Sequence, residues 1–97
     1  MKMTVVTNQE GTFHYNEKNE LHREDGPAIE DADGYKGWYL NDKLHRVDGP
    51  AVEDVNGYGY KAWYLHGQRH RTDGPAIERA DGYKEYWLHG VKQDPPV

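Results

Sequence analysis

A short signature, His-Arg-x-Asp, occurs three times in the chain: His22, Arg23 and Asp25; His45, Arg46 and Asp48; His70, Arg71 and Asp73. Arg and Asp two positions apart share one side of an extended chain and can pair. The Asp can also bond its own backbone and close a turn. The functional reading is a row of Arg and His offered to a partner. Scaffolds repeat and active sites usually do not, so the repetition favours a structural role.

Other chemistry finds little material. Equivalent histidines from neighbouring copies stand two strands apart, on the order of 10 Å, whereas ligands of one zinc each approach to ~2 Å. Only His66 with His70, or His89 with a turn residue, remains as a metal pair. Cysteine and serine are absent, which leaves Thr4, Thr7, Thr12 and Thr72 as hydroxyl nucleophiles. Thr72 occupies a slot filled by Glu24 and Val47 in the other copies. The sequence leaves open a carboxylate pair for glycoside cleavage, but a thin sheet rarely makes a deep pocket. No phosphate-binding glycine loop is present. The expectation is no catalytic residue, no metal, no cofactor and no enzyme activity.

Acidic residues recur at the turns. Glu30, Asp31 and Asp33 are followed by Glu53 and Asp54, then by Glu78 and Asp81. In a stacked array they fall along one side. They read either as solvated turn chemistry or as a negative stripe that docks on a basic groove, such as one that normally holds nucleic acid. With 12 Lys+Arg against 17 Asp+Glu, the net charge is -5. That balance argues against a direct grip on nucleic acid.

The elements that position these residues repeat as well. The block Leu21-His22-Arg23-Glu24-Asp25-Gly26-Pro27-Ala28 returns at Leu44 and at Arg69, offsets of 23 and 25 residues. The longer offset comes from Asn56-Gly57-Tyr58-Gly59-Tyr60-Lys61, where the neighbouring copies have Asp33-Gly34-Tyr35-Lys36 and Asp81-Gly82-Tyr83-Lys84. An aromatic block alternates with the first: Trp38-Tyr39-Leu40, Trp63-Tyr64-Leu65 and Tyr86-Trp87-Leu88. Phe13-His14-Tyr15 and Asp94-Pro95-Pro96-Val97 read as worn copies at the two ends. The units run approximately 12–33, 34–56, 57–81 and 82–97, with 1–11 an extra strand or arm, all in one domain.

Period-two alternation predicts strands. Asn41-Asp42, His66-Gly67 and His89-Gly90 mark tight hairpin turns, and the Asp-Gly and Asn-Gly steps mark the opposite ones. Proline in each Asp-Gly-Pro step interrupts a ladder, and Gly and Pro are too frequent for helix. The fold class is therefore all-β, a repeat array of short antiparallel strands and hairpins with about three full units.

Leu, Ile, Val and Phe total only 15 of 97 residues, so aromatic rings must do most of the burial. Stacking the units is expected to lay Trp38 beside Trp63. Tyr86-Trp87 inverts the order, which sends Trp87 to the other face, either covered there or exposed as an anchor. Tyr39, Tyr64 and Trp87 are the candidate partner-binding rings. No run approaches the ~20 apolar residues of a membrane span and no signal-peptide core is visible, so the expected location is the cytoplasm.

The pattern Gly-Tyr-Lys-x-Trp-Tyr-Leu, followed by His-Arg-x-Asp-Gly-Pro-Ala, resembles a variant of the MORN repeat over roughly Gly11 to Val91. Where MORN repeats often have His-Gly-x-Gly, this chain has His22-Arg23-Glu24-Asp25-Gly26-Pro27 and its copies. This form is similar to repeats in bacteriophage and bacterial proteins. The resemblance implies a single-layer sheet of hairpins, and partners that are other proteins or sometimes phospholipids. With the size and acidity it suggests a non-enzymatic protein-binding module. The expected type is a phage accessory protein that inhibits a host protein, anti-CRISPR-like or another defence inhibitor. The alternative is a structural module that self-assembles, for example as a homodimer, through open sheet edges. Phospholipid binding is disfavoured by the net charge of -5.

Overall fold

A computed structural model describes residues 2–56 and 59–95. Among them there is no helix. Nine strands form one antiparallel sheet, in spatial order β1 (Thr4–Asn8), β2 (Gly11–Tyr15), β3 (Ile29–Asp31), β4 (Tyr35–Gly37), β7 (Val52–Asp54), β8 (Tyr60–Ala62), β11 (Ile77–Glu78), β12 (Lys84–Leu88) and β13 (Val91–Gln93). Two small ribbons branch from it: β5 (Tyr39–Leu40) with β6 (Lys43–Leu44), and β9 (Tyr64–Leu65) with β10 (Gln68–Arg69). The molecule measures 47 × 27 × 17 Å, an open single layer. The stretch ahead of the repeats is a strand, β1. The worn front copy lies in β2. Of the worn tail, Pro96 and Val97 lie outside the described residues, as do Gly57 and Tyr58 of the inserted turn.

Local chemistry explains the short strands. Asn41 and Asp42, His66 and Gly67, and His89 and Gly90 all have positive φ, the geometry of tight hairpin turns that match strand twist. Gly34 and Gly82 turn the opposite end at φ +95°. Each inner copy is more divided than two strands. The stretch Tyr35 to Leu40 leaves the large sheet at Trp38, whose amide donates to the Ala51 carbonyl at 2.7 Å, and continues as the ribbon strand β5.

Register assigns the two faces. Directly opposed residues run Phe13, Ile29, Gly37, Val52, Ala62, Ile77 and Glu85 across consecutive strands. Val52, Ala62 and Ile77 are buried on this face, with Tyr35, Leu44, Tyr60 and Tyr64 packed against them. Burial, and then a hydrogen bond with Tyr39, push the Tyr35 phenol well above its usual pKa. Alternation puts the next row on the opposite face: Thr12, Glu30, Lys36, Glu53, Lys61, Glu78 and Lys84.

The burial differs from the expected tryptophan stack. Trp38 and Trp63 are half-buried and make no ring contact with each other among the described residues. Copies two strands apart are separated by ~10 Å, too far for rings to touch. The arginine of its own copy covers each ring instead. On the tryptophan face the fully buried side chains are the alanines Ala28, Ala51 and Ala76.

Candidate partner-binding faces

The Arg and Asp of each His-Arg-x-Asp signature close a clamp within their own copy, and the His reaches the next copy. Each Arg Nε donates to the Asp two residues on: Arg23 to Asp25 (2.9 Å), Arg46 to Asp48 (3.0 Å) and Arg71 to Asp73 (2.9 Å). Each Nη1 donates to the loop proline carbonyl: Pro27 (3.2 Å), Pro50 (3.0 Å) and Pro75 (3.1 Å). The guanidiniums of Arg46 and Arg71 then lie 3.9 Å above the rings of Trp38 and Trp63 in the preceding aromatic block. Arg23 has no tryptophan to cover. Its Nη1 meets His14 Nε2 at 3.2 Å instead, and burial together with Arg23 lowers the His14 pKa. A Cβ on Gly26, Gly49 or Gly74 would come within 2.9, 3.0 and 2.9 Å of the clamp guanidinium carbon, so the glycine makes room for the arginine.

The histidines join each copy to the next hairpin turn. Nδ1 of His22 accepts the Asn41 amide (3.0 Å), Nδ1 of His45 accepts the His66 amide (2.9 Å), and Nδ1 of His70 accepts the His89 amide (2.9 Å). Each ring therefore carries its proton on Nε2. The His66 ring lies tilted against His45 and the His89 ring against His70, with centroids 4.5 and 4.2 Å apart. Burial, then the nearby His66, lowers the His45 pKa below 6.5. His66 and His70, the pair left for a metal, are thus drawn to different neighbours. The described residues contain no group of three or more His, Cys, Asp or Glu placed to hold a metal ion.

The acidic turns do not form a stripe. Glu30, Glu53 and Glu78 alternate with Lys36, Lys61 and Lys84 in the cross-strand ladder, because every second strand contributes a lysine. The same glutamates approach Arg23, Arg46 and Arg71 at 3.6, 3.8 and 3.3 Å. Asp31 accepts the amides of Asp33 and Tyr35, Asp54 that of Asn56, and Asp81 that of Tyr83, so these side chains shape turns. The carbonyl of Asp33 takes the Asn56 side-chain amide. Carboxylates that project from the loops include Glu24, 80% exposed, and Asp25, Asp48 and Asp73, 86, 85 and 82% exposed.

The Asp-Gly-Pro loops stand as walls with open clefts between them. One cleft, of about 770 Å³, lies between Arg23–Asp25 and Arg46–Asp48 over Trp38 and Leu40. The next, of about 480 Å³, lies between Arg46–Asp48 and Arg71–Asp73 over Trp63 and Leu65. A third beside Asp73 is lined by Tyr86, Trp87 and Leu88.

Tyr39, Tyr64 and Trp87 belong to the opposite, tyrosine face, and all three are half-buried rather than an exposed patch. Tyr39 packs with Tyr35 around Gly37, and Tyr64 lies against the core. Trp87 is on this face, as its inverted position predicts, under the Arg69 guanidinium at 4.8 Å.

Sequence reasoning missed the neighbours of Trp87. Arg69 Nε donates to the Tyr64 hydroxyl (3.1 Å), and Trp87 Nε1 donates to Glu85 (2.8 Å). Hydrogen bonds from Tyr83 and Trp87 hold the Glu85 carboxyl below its usual pKa. The signal was departure from the repeat: Arg69 replaces Leu21 and Leu44, Glu85 replaces Gly37 and Ala62, and Trp87 replaces Tyr39 and Tyr64.

Comparison with known proteins gives no assignment: no family model, curated protein or solved structure matches the chain. No helix among the described residues is long and apolar enough to cross a membrane.

Proposed function

We propose that the chain is a non-enzymatic, protein-binding repeat module that offers its Arg–Trp face to a protein partner. The observation that carries this reading is the row of open clefts, each with a half-buried aromatic floor and arginine walls. Trp and Arg are types that concentrate binding energy at interfaces. Each clamp arginine faces two carboxylates, of which Asp25, Asp48 and Asp73 are the outermost, and the whole chain carries a net charge of -5. A basic protein surface, including a groove that otherwise holds nucleic acid, is the complementary partner.

The finer reading is a phage-type accessory protein that acts in the cytoplasm and inhibits a host protein. Support for it comes from the MORN-variant resemblance and from the small size. Pull-down from bacterial lysate tests the function. The expected result is a stoichiometric protein that is released by rising salt and lost with the combined Asp25→Asn, Asp48→Asn and Asp73→Asn variant. Recovery of no such protein, or undiminished capture by the variant, overturns the reading.

A further inference from the structure

The two outer edges of the sheet are finished differently. β1 is one outer strand and all 5 of its residues are exposed. It pairs with β2 in unbroken register and contains no charge, proline or bulge, the usual protections of a free edge. Val6, 40% exposed, opposes Phe13 and so begins the apolar row that continues through Ile29, Val52, Ala62 and Ile77. At the other end the row stops on Glu85, bonded to Trp87, with Lys92 of the outer strand β13 at 3.9 Å. One end is closed by charge and the other is left open on valine.

We propose that β1 pairs antiparallel with β1 of a second copy about a two-fold axis through Val6, giving a closed dimer with one continuous sheet. The inference does not rest on the partner reading above. A two-fold perpendicular to the sheet keeps both tyrosine faces on one side, so residues that oppose each other must share a face. Centring on Val6 satisfies this: Val6 meets Val6, Val5 meets Thr7, and Thr4 meets Asn8. The apolar row then runs unbroken from one copy into the next. The same register carries Lys2 of each copy past the end of β1 to the Gln9–Glu10 hairpin turn of the other. Neither Lys2 nor Glu10 has an ion pair among the described residues. A register centred on Val5 instead puts Val6 opposite Thr4 and Lys2 opposite Asn8, which loses both matches. The charged far edge stops the pairing from propagating into a fibre.

The chain has no cysteine, so single-cysteine variants report the register cleanly. Light scattering of the intact chain should give twice 11.2 kDa across a dilution series that ends in dissociation. Val6→Cys should oxidise to a disulfide-linked dimer, while Val5→Cys alone should not and should cross-link only when mixed with Thr7→Cys. Lys2→Glu should weaken the dimer about tenfold, with recovery on adding Glu10→Lys, since both lie outside the core. A monomer at every concentration, open-ended polymers, or self-cross-linking of Val5→Cys in preference to Val6→Cys overturns the proposal.

Discussion

Replacing Arg46 with alanine removes the clamp inside a middle copy in one step. It deletes the bonds to Asp48 and to the Pro50 carbonyl, each 3.0 Å, and the guanidinium 3.9 Å above Trp38. Asp48 is 85% exposed, so that ion pair contributes ~0.5 kcal/mol. The bond to the carbonyl adds ~1 kcal/mol. The stack on Trp38 adds ~1 kcal/mol, because the Arg46 side chain is only 24% exposed and partly desolvated. The loss is therefore about 2–3 kcal/mol, a large share of the roughly 5–15 kcal/mol that holds a domain folded. Thermal unfolding followed by circular dichroism should move down by about 10–20 °C, at about 4–8 °C per kcal/mol for a chain of this size. Arg46→Lys keeps the charge but not the planar fork, and should lose about half as much. A double-mutant cycle with Trp38→Leu should show coupling of ~1 kcal/mol. If Arg46→Ala costs under ~0.5 kcal/mol and the cycle is additive, the Asp-Gly-Pro loop is not clamped to its own copy through arginine and tryptophan, and the reasoning fails.

The same structure makes further predictions. Gly49→Ala places a methyl 3.0 Å from the Arg46 guanidinium carbon, lifts it from Trp38, and should cost ~1–2 kcal/mol with a shift in tryptophan emission. His45 has a folded pKa below 6.5, so the folded state binds fewer protons than the unfolded one. Stability from this group is present above pH 6.5 and falls as acid takes the pH down towards the lowered folded value. Denaturation midpoints from pH 8 to 5 should show that decline, and it should shrink in His45→Asn. Glu85→Val extends the apolar row through its charged end, and light scattering should show new, larger assemblies there.

Much of the fold was legible because it depends on local chemistry. The turns at Asn41-Asp42, His66-Gly67 and His89-Gly90 need only residues that tolerate positive φ, and the repeat announced them three times. The structural use of His22, His45 and His70 followed from their repetition, although their bonds to the next hairpin turn needed coordinates. Cross-strand register was not legible. Glu30, Glu53 and Glu78 looked like a stripe because the sequence does not display Lys36, Lys61 and Lys84 between them. The pairing of Trp38 with Trp63 fails because copies two strands apart are ~10 Å apart, beyond the reach of a ring. Each ring is covered instead by the arginine of its own copy, Arg46 over Trp38 and Arg71 over Trp63. Tyr39 and Tyr64 alternate correctly away from the tryptophans, but the thin sheet buries its tyrosine face by packing rings against one another instead of leaving them free.

The central claim is that successive copies are locked together by histidine. Amide hydrogen exchange at Asn41, His66 and His89 tests it most directly. All three are exposed turn residues, and each amide donates to a histidine of the preceding copy. The account predicts slowed exchange at these three amides at neutral pH, and loss of that protection for His66 alone in His45→Phe. Exchange of all three at the rate of an unstructured chain contradicts it.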